Sequence, residues 1–223
     1  MDSPFLLPLF KEQFLFFKSS PFDRKKIHSA FYRPSIDKYS AGDIRALHWN
    51  SKSSQENRFH ALLRIGELQD ARILDIGCGT GDFLGFLQKL GRIPAYFHGI
   101  DLMPDFISVA SHRYPHAHFE TGDFFEKRFD KKYDYVFCNG ALNVKEEDNL
   151  ELLTQLISKA ISLKPRGVGI SLLKYSPHFI QDKKLFHYEE KKVQELLETH
   201  GKLVLHCDYA ENDFIVFLYP SGE

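Results

Sequence analysis

The sequence predicts an α/β protein: a doubly wound, mostly parallel sheet with an antiparallel hairpin at its C-terminal end and a helical cap at its N-terminal end. Three observations predict this class. Apolar strand-like runs alternate with amphipathic segments from Ala71 onward, which is typical of a parallel sheet covered by helices on both faces. The first run leads into closely spaced glycines. The last two runs are separated only by residues 210–212, a connection so short that the pair must be antiparallel.

The length and composition predict one substantial core with a small extension. The chain has 223 residues, 43% of them hydrophobic, and a formal net charge of −1, which argues against a general nucleic-acid binder with its basic face. No run approaches the ~18 apolar residues of a spanning helix, and Pro4 and Lys11 interrupt the apolar N-terminal stretch. Neither a membrane helix nor a signal peptide is therefore predicted. The widely spaced Cys78, Cys138 and Cys207 predict reduced thiols in a cytoplasmic protein.

Residues 1–70 precede the first predicted core strand and are rich in aromatic side chains. Helices are predicted over residues 5–17 and 55–68, whereas Pro21 and Pro34 are expected to interrupt the segment between them. We expect this region to form a cap over a cleft of the core.

Residues 71–223 form the second predicted unit and carry the alternating elements. Pro104 suits the first turn of a helix, and Gly91 and Gly201 stand where helices commonly end. The predicted strands are residues 72–76, 95–101, 117–121, 133–139, 168–174, 202–209 and 213–219. The predicted helices are residues 82–90, 104–114, 146–163 and 189–200.

A glycine-rich turn follows the first predicted strand. Gly77, Gly79 and Gly81 stand at alternate positions, and Asp75 precedes the first of them by two residues. Glycines let the chain turn sharply and let a ligand approach the backbone, and the helix that follows offers unpaired N–H groups. The spacing differs from the G-x-G-x-x-G of dinucleotide-binding proteins, which disfavours an NAD-dependent oxidoreductase. A glycine-rich turn without any ligand is the alternative.

The Asp-x-Gly-x-Gly-x-Gly pattern at residues 75–81 resembles motif I of the class I S-adenosylmethionine-dependent methyltransferases. The resemblance covers about residues 71–219, since five parallel strands and a terminal hairpin are similar to that family's seven-stranded, Rossmann-like sheet. It implies that S-adenosylmethionine is the cofactor and that the turn cradles its methionine part and the edge of its ribose. The contacts implied from the turn are Asp75, Gly77, Cys78, Gly79 and Gly81.

Two further acidic residues match the family's cofactor contacts. Asp101 ends the second predicted strand, and the resemblance assigns it the ribose hydroxyls, with Leu102 and Met103 beside the adenine. Capping the next helix is its alternative role. Asp123 and Phe124 follow the third strand. The resemblance implies that Asp123 accepts a hydrogen bond from the adenine amino group and that Phe124 packs on the ring; a simple turn is the alternative.

In this family, the residues that follow the fourth strand face the sulfonium group of S-adenosylmethionine. Residues 139–142 lack the Pro-Pro-aromatic pattern of amino methyltransferases that act on nucleic acids, which argues against methylation of a base amine. Asn139 is predicted to contact the cofactor and Asn143 the substrate, and a helix-cap role is an equally good alternative for either.

Three residues of the N-terminal region are predicted to border the cleft. Tyr39 and Trp49 are candidate substrate contacts. Arg58 is a candidate partner for the methionine carboxylate of the cofactor, because a guanidinium binds a carboxylate through two hydrogen bonds. An ion pair with an acid at the edge of the core is the alternative for Arg58, with equal weight.

The histidines do not predict a metal site. His112, His116 and His118 lie close together in the sequence, but no cysteine or carboxylate set completes a site with suitable spacing, so no metal is predicted. His178 and His187 follow the fifth strand and are candidates for a general base, although a solvated loop role is favoured. No catalytic residue is assigned.

We therefore read the sequence as a transferase that moves the methyl group of S-adenosylmethionine to a small molecule. The small size and near-neutral charge favour such an acceptor over nucleic acid. An RNA or protein methyltransferase is the first alternative, and a non-catalytic S-adenosylmethionine-binding module is the second. The acceptor and the oligomeric state are left open.

Overall fold

The computed structural model describes residues 21–178 and 181–220. The helix predicted over residues 5–17 lies outside the described residues. Among the described residues, no helix combines the length and the apolar character needed to cross a membrane.

A seven-stranded sheet forms the centre of the molecule and confirms the predicted fold class. Its order is β3-β2-β1-β4-β5-β7-β6; β1 to β5 run parallel, and β7 inserts antiparallel between β5 and β6. The strands are β1 (Arg72–Ile76), β2 (Tyr96–Asp101), β3 (His118–Thr121), β4 (Tyr135–Asn139), β5 (Gly167–Leu173), β6 (Lys202–His206) and β7 (Asp213–Tyr219).

Helices cover both faces of this sheet, as the alternation predicted. They are α1 (Pro21–Tyr39), α2 (Lys52–Leu62), α3 (Asp82–Lys89), α4 (Pro104–Arg113), α5 (Asn149–Ser162) and α6 (Glu190–Leu197). The helix predicted over residues 55–68 is α2, which begins earlier because the Ser51 hydroxyl accepts the Ser54 N–H at 3.0 Å. It ends at Leu62 and continues as a 3₁₀ turn over Leu63–Ile65.

The apolar strands bury two main clusters, one on each face of the sheet. Leu74, Val136 and Ile170 belong to the cluster beneath α5 and α6. Ile73 and Phe137 point the other way, toward α2 and α3. Because neighbouring residues of the central strands face opposite covered sides, those strands read as continuous apolar runs in the sequence.

Helix α1 is the element that the sequence analysis missed. Pro34 was expected to interrupt this segment, yet it lies inside one continuous 19-residue helix. A proline costs a helix one backbone hydrogen bond and crowds the preceding turn. Tertiary burial offsets that cost, since Arg24, His28, Phe31 and Ile36 of α1 are all buried against the domain.

Candidate active site

The cleft opens where β1 and β4 stand side by side, at the carboxyl ends of both strands. The chain order reverses there, and open α/β sheets bind their ligands at such switch points. The cleft has a volume of about 500 Å³, within the range of small-molecule and cofactor sites. The turn after β1, the ends of β2 and β4, and helix α1 all contribute to its lining.

The turn after β1 requires glycine at its first two glycine positions. Gly77 and Gly79 have φ angles of 70° and 53°, in the left-handed region that other residues rarely adopt. A Cβ on Gly77 would lie 2.3 Å from the Cβ of Ala141, and one on Gly79 would lie 2.9 Å from Leu47. At these two positions the backbone therefore lies too close to its neighbours to carry a side chain.

Asp101 links the turn to helix α4. One carboxylate oxygen accepts the Gly79 N–H at 2.9 Å and the other accepts the Met103 N–H at 2.8 Å. Burial raises the pKa of Asp101, and these backbone bonds oppose the rise. Each oxygen keeps acceptor capacity, and the residue lines the cleft. Asp101 therefore bonds the residue that precedes α4, but no described side chain caps that helix, and the ribose role of Asp101 stays a prediction.

Asp75 is the one described side chain in the cleft lining that is buried with an unpaired carboxylate oxygen. It is 2% exposed, and its Oδ1 has no hydrogen-bond partner. Burial, with repulsion from Asp101, raises its pKa to about 8. An unsatisfied buried acceptor costs on the order of 1–3 kcal/mol, and a ligand that brings an N–H donor to this oxygen would remove that cost.

Helix α1 is anchored at the cleft by buried ion pairs. Arg24 Nη1 donates to both oxygens of Asp123 at 2.7 and 2.8 Å, and Arg24 Nε donates to Glu146 at 2.9 Å. His28 Nε2 lies 3.0 Å from Glu146. Burial alone would raise the pKa of Glu146, but the bonds from His28 and Arg24 hold it below its ordinary value. Each of these four side chains is less than a tenth exposed.

This anchor was absent from the sequence analysis. Asp123 was predicted to contact adenine, and here Arg24 occupies both of its carboxylate oxygens. Arg24 lies 99 residues from Asp123 and 122 from Glu146, so no local pattern could link them. Neither helix α1 nor the burial of Arg24 was predicted, so the sequence offered no signal for this anchor.

Aromatic residues of α1 and its neighbours form the outer wall. Phe31, Tyr32 and His48 line the cleft. The Tyr32 ring meets Phe106 edge-on with centroids 5.3 Å apart. Burial, together with repulsion from Asp101, raises the pKa of Tyr32, so its hydroxyl stays protonated and can donate a hydrogen bond.

Arg58 makes the ion pair that the sequence left as its alternative. Its guanidinium bonds the carboxylate of Asp213, at the start of β7, and stacks 4.5 Å from the Trp49 ring. Burial raises the pKa of Asp213 to about 6, although Arg58 opposes the rise. Arg58 and Trp49 both line the cleft. Binding of a ligand carboxylate by Arg58 stays a prediction.

The remaining predicted residues divide into two groups. The first lines the cleft and comprises Cys78, Leu102, Phe124, Asn139, Asn143 and His187. In the second group, Gly81 is the residue before α3, and Met103 packs in a small apolar cluster with Phe106. Tyr39 lies under Arg45 and borders a separate shallow pocket that Trp49 also lines. His178 is exposed on its loop.

The two asparagines near β4 have structural bonds. The Asn139 carbonyl oxygen accepts from the Ser171 hydroxyl at 2.7 Å, and that of Asn143 accepts the Leu173 N–H at 3.0 Å. Both residues therefore join β4 and its exit to β5. Their predicted ligand contacts stay predictions.

Comparison with known proteins agrees with this geometry. Residues 73–167, from β1 to the start of β5, match the model of a family described as a methyltransferase domain. A demethylmenaquinone methyltransferase from Chlorobaculum tepidum is 26% identical over 156 residues, which are 70% of this chain and 62% of that protein. The chain thus spans less than two thirds of that relative's length.

Solved structures share the fold. Magnesium protoporphyrin IX methyltransferase from Synechocystis PCC 6803, crystallised with SAH, has a TM-score of 0.64 at 16% identity, covering 89% of this chain and 100% of that one. A small RNA methyltransferase has a TM-score of 0.58 at 17% identity, covering 77% of this chain and 25% of that one. These neighbours carry different substrates in their names, so the fold alone does not decide the acceptor.

Proposed function

We propose that this chain, whose residues 73–167 carry a methyltransferase domain on a class I fold, transfers the methyl group of S-adenosylmethionine to a small molecule. The observation that carries the proposal is the cleft at the β1–β4 switch point, where a glycine backbone lies between the carboxylates of Asp75 and Asp101. An adenosyl amino acid has an ammonium group and a ribose diol, and each needs an acceptor of this kind.

The residues present fit the cofactor. Asp75 would accept from the ammonium group through its unpaired oxygen, and Asp101 would accept from the ribose hydroxyls. Gly77 and Gly79 let the ligand approach the backbone without a Cβ in the way. Leu102 and Phe124, both in the cleft lining, would flank the adenine.

The protein's own task is positioning. The bound cofactor supplies an activated methyl group on a sulfonium, so the barrier depends mainly on holding the acceptor in line with it. At the exit of β4, Asn139 would contact the cofactor and Asn143 would line the acceptor's side of the cleft. The protonated Tyr32 hydroxyl can donate a hydrogen bond to a polar group of either ligand.

Residues 1–70 would act as a lid. Arg24 and Tyr32 of α1 line the cleft. A ligand that uses Asp123 must share its carboxylate with Arg24 or displace the guanidinium. A closed lid would exclude water and fix the geometry of the two ligands. Trp49, stacked on Arg58 in the cleft wall, would sense that closure.

A small acceptor suits this geometry better than a polymer. The wall formed by α1 narrows access to the end of β4, and the net charge of −1 provides no general attraction for phosphates. The similarity to a demethylmenaquinone methyltransferase over 70% of this chain also supports a small organic acceptor.

Calorimetry with S-adenosylmethionine, its demethylated product and NAD tests the cofactor. We expect both sulfur nucleosides to bind and NAD not to bind; the reverse pattern would end the proposal. Incubation with methyl-labelled S-adenosylmethionine and cell extract then tests the acceptor. We expect the label in a low-molecular-weight fraction that resists ribonuclease and protease, whereas label lost on either digestion would assign a macromolecular acceptor.

A further inference from the structure

A second cluster of ligand side chains lies at the edge of the sheet formed by β3. His98 of β2 stands directly opposite His118 of β3 in the parallel register, and Glu120 follows two positions later on β3. Because side chains on a strand alternate between its faces, His118 and Glu120 share one face. His98 faces the same side, where Phe129 and Tyr133 pack against it.

The three side chains meet at the separations that a small metal ion needs. His98 Nε2 lies 3.1 Å from a Glu120 oxygen, and the three potential ligand atoms lie within 4.8 Å of one another. Tetrahedral zinc with bonds of about 2.0–2.1 Å places its ligand atoms roughly 3.3 Å apart. The His98–Glu120 separation already fits, and the exposed His118 needs only a small side-chain movement.

The surroundings orient the ligands as metal sites require. The Tyr133 hydroxyl lies 2.7 Å from His98 Nδ1, so an Nδ1–H that donates to it leaves the Nε2 lone pair for a metal. Lys127 bonds the other oxygen of Glu120, so the oxygen that now pairs with His98 Nε2 is the one that would coordinate the ion.

We propose that His98, His118 and Glu120 form a binding site for a divalent transition-metal ion, zinc in the first instance, with water as the fourth ligand. Two imidazoles and one carboxylate are a ligand set that zinc accepts. The ion would connect the edge strand β3 to β2 and so stabilise that edge of the sheet. This site lies outside the cleft lining and does not depend on the proposed transferase activity.

The test is a zinc titration of the full chain without an affinity tag, after chelator treatment. His118→Ala removes one exposed ligand, and His116→Ala is the matched control, because His116 is an equally exposed imidazole two residues away. We expect one zinc equivalent per chain for the wild type and for His116→Ala, and at least a tenfold weaker affinity for His118→Ala. Cobalt should give the absorption bands of a tetrahedral site in the first two proteins only.

Thermal unfolding provides an independent readout. Zinc at about 100 times its Kd should raise Tm by roughly 5–10 °C in the wild type and in His116→Ala. In His118→Ala the shift should be lost. The proposal is overturned if zinc does not bind the wild type, or if His118→Ala retains the stoichiometry, affinity and thermal shift of the wild type.

Discussion

At the scale of single residues, Asp101 joins two backbone segments that border the cleft. Its carboxylate bonds the Gly79 N–H in the turn after β1 and the Met103 N–H just before α4, so it fixes two sides of the site at once. Asp75 differs, because it is buried with an oxygen that no described group satisfies. One carboxylate thus supports the site and the other needs a ligand.

The first residue-scale prediction concerns Asp101. Asp101→Ala should weaken S-adenosylmethionine binding roughly tenfold or more, because a hydrogen bond with a charged partner contributes about 1.5–3 kcal/mol. Calorimetry measures the change, with Asp130→Ala, an exposed carboxylate, as the control. A folded Asp101→Ala protein with unchanged affinity would restrict Asp101 to its contacts with the turn and α4.

The second residue-scale prediction concerns the stability of the ligand-free protein against pH. Burial raises the pKa of Asp75 from 3.8 to about 8, so the folded protein binds a proton that the unfolded chain releases. Stability contributed by such a group falls as the pH rises between those two values. Asp75→Asn cannot ionise, so its stability relative to the wild type should increase from pH 5 to pH 8.

Denaturant unfolding of both proteins at the two pH values measures this difference. Asp130→Asn is the control for the loss of one carboxylate and should follow the wild type. Asp75→Asn should at the same time bind S-adenosylmethionine more weakly, because a neutral amide is a poorer acceptor for an ammonium group. Parallel pH profiles for Asp75→Asn and the wild type would show that Asp75 stays ionised.

At the scale of elements, the buried charges hold α1 on the domain. Removing one partner of a buried ion pair leaves the others uncompensated and typically costs about 3–5 kcal/mol. Arg24→Met should therefore lower the free energy of unfolding by roughly that amount. Lys25→Met, an exposed cation on the same helix, should change it little. Equal stability of the two variants in denaturant unfolding would show that α1 is held by its apolar contacts alone.

The connection between α1 and α2 contains Trp49, the only tryptophan of the chain. Because its ring stacks on Arg58 in the cleft wall, closure over a ligand should alter its surroundings. We expect its fluorescence to change on saturation with S-adenosylmethionine or the demethylated product. Trp49→Phe should abolish the signal, which controls for absorption by the ligand. A fluorescence spectrum that does not change at saturating ligand would contradict the proposal that this region closes over the cleft.

At the scale of the whole molecule, the residues that bury the sheet belong to different apolar clusters from the residue that helix α1 contributes. The two main clusters bury the sheet faces, whereas Ile36 of α1 belongs to a third, small cluster with Ala46, Met103 and Phe106. A chain beginning at Ser54 would lose α1 but keep both main clusters. It should therefore retain the sheet.

That shortened chain should lose methyl transfer by more than it loses affinity for the demethylated product. Far-UV circular dichroism, calorimetry and a transfer assay measure the three properties. The full-length Lys25→Met protein, which keeps α1, serves as the active reference. Full turnover by the shortened chain would contradict the lid, and aggregation without selective loss of activity would show that residues 1–53 chiefly cover apolar surface.

The sequence by itself determined the sheet and the turn that organises it. The strand bounds in the structure lie within three residues of the predicted ones, because continuous apolar runs and the glycines around residue 79 are local patterns with local physical causes. The terminal hairpin followed in the same way from a connection too short for a parallel pair. Asp75 lies beside the glycines and Asp101 ends a predicted strand, so both could be predicted as cofactor contacts from the sequence.

Only the tertiary structure decided what the distant charges do. Arg24 finds Asp123 and Glu146, and Arg58 finds Asp213 across 155 residues of sequence. The β2–β3 register places the His98 imidazole opposite His118 and beside Glu120, a proximity that the sequence spacing of 20 residues does not reveal. Helix α1 persists through Pro34 because buried contacts outweigh a local preference. The partner of a charged side chain depends on which residues are close to it after folding, and sequence spacing does not reveal that proximity.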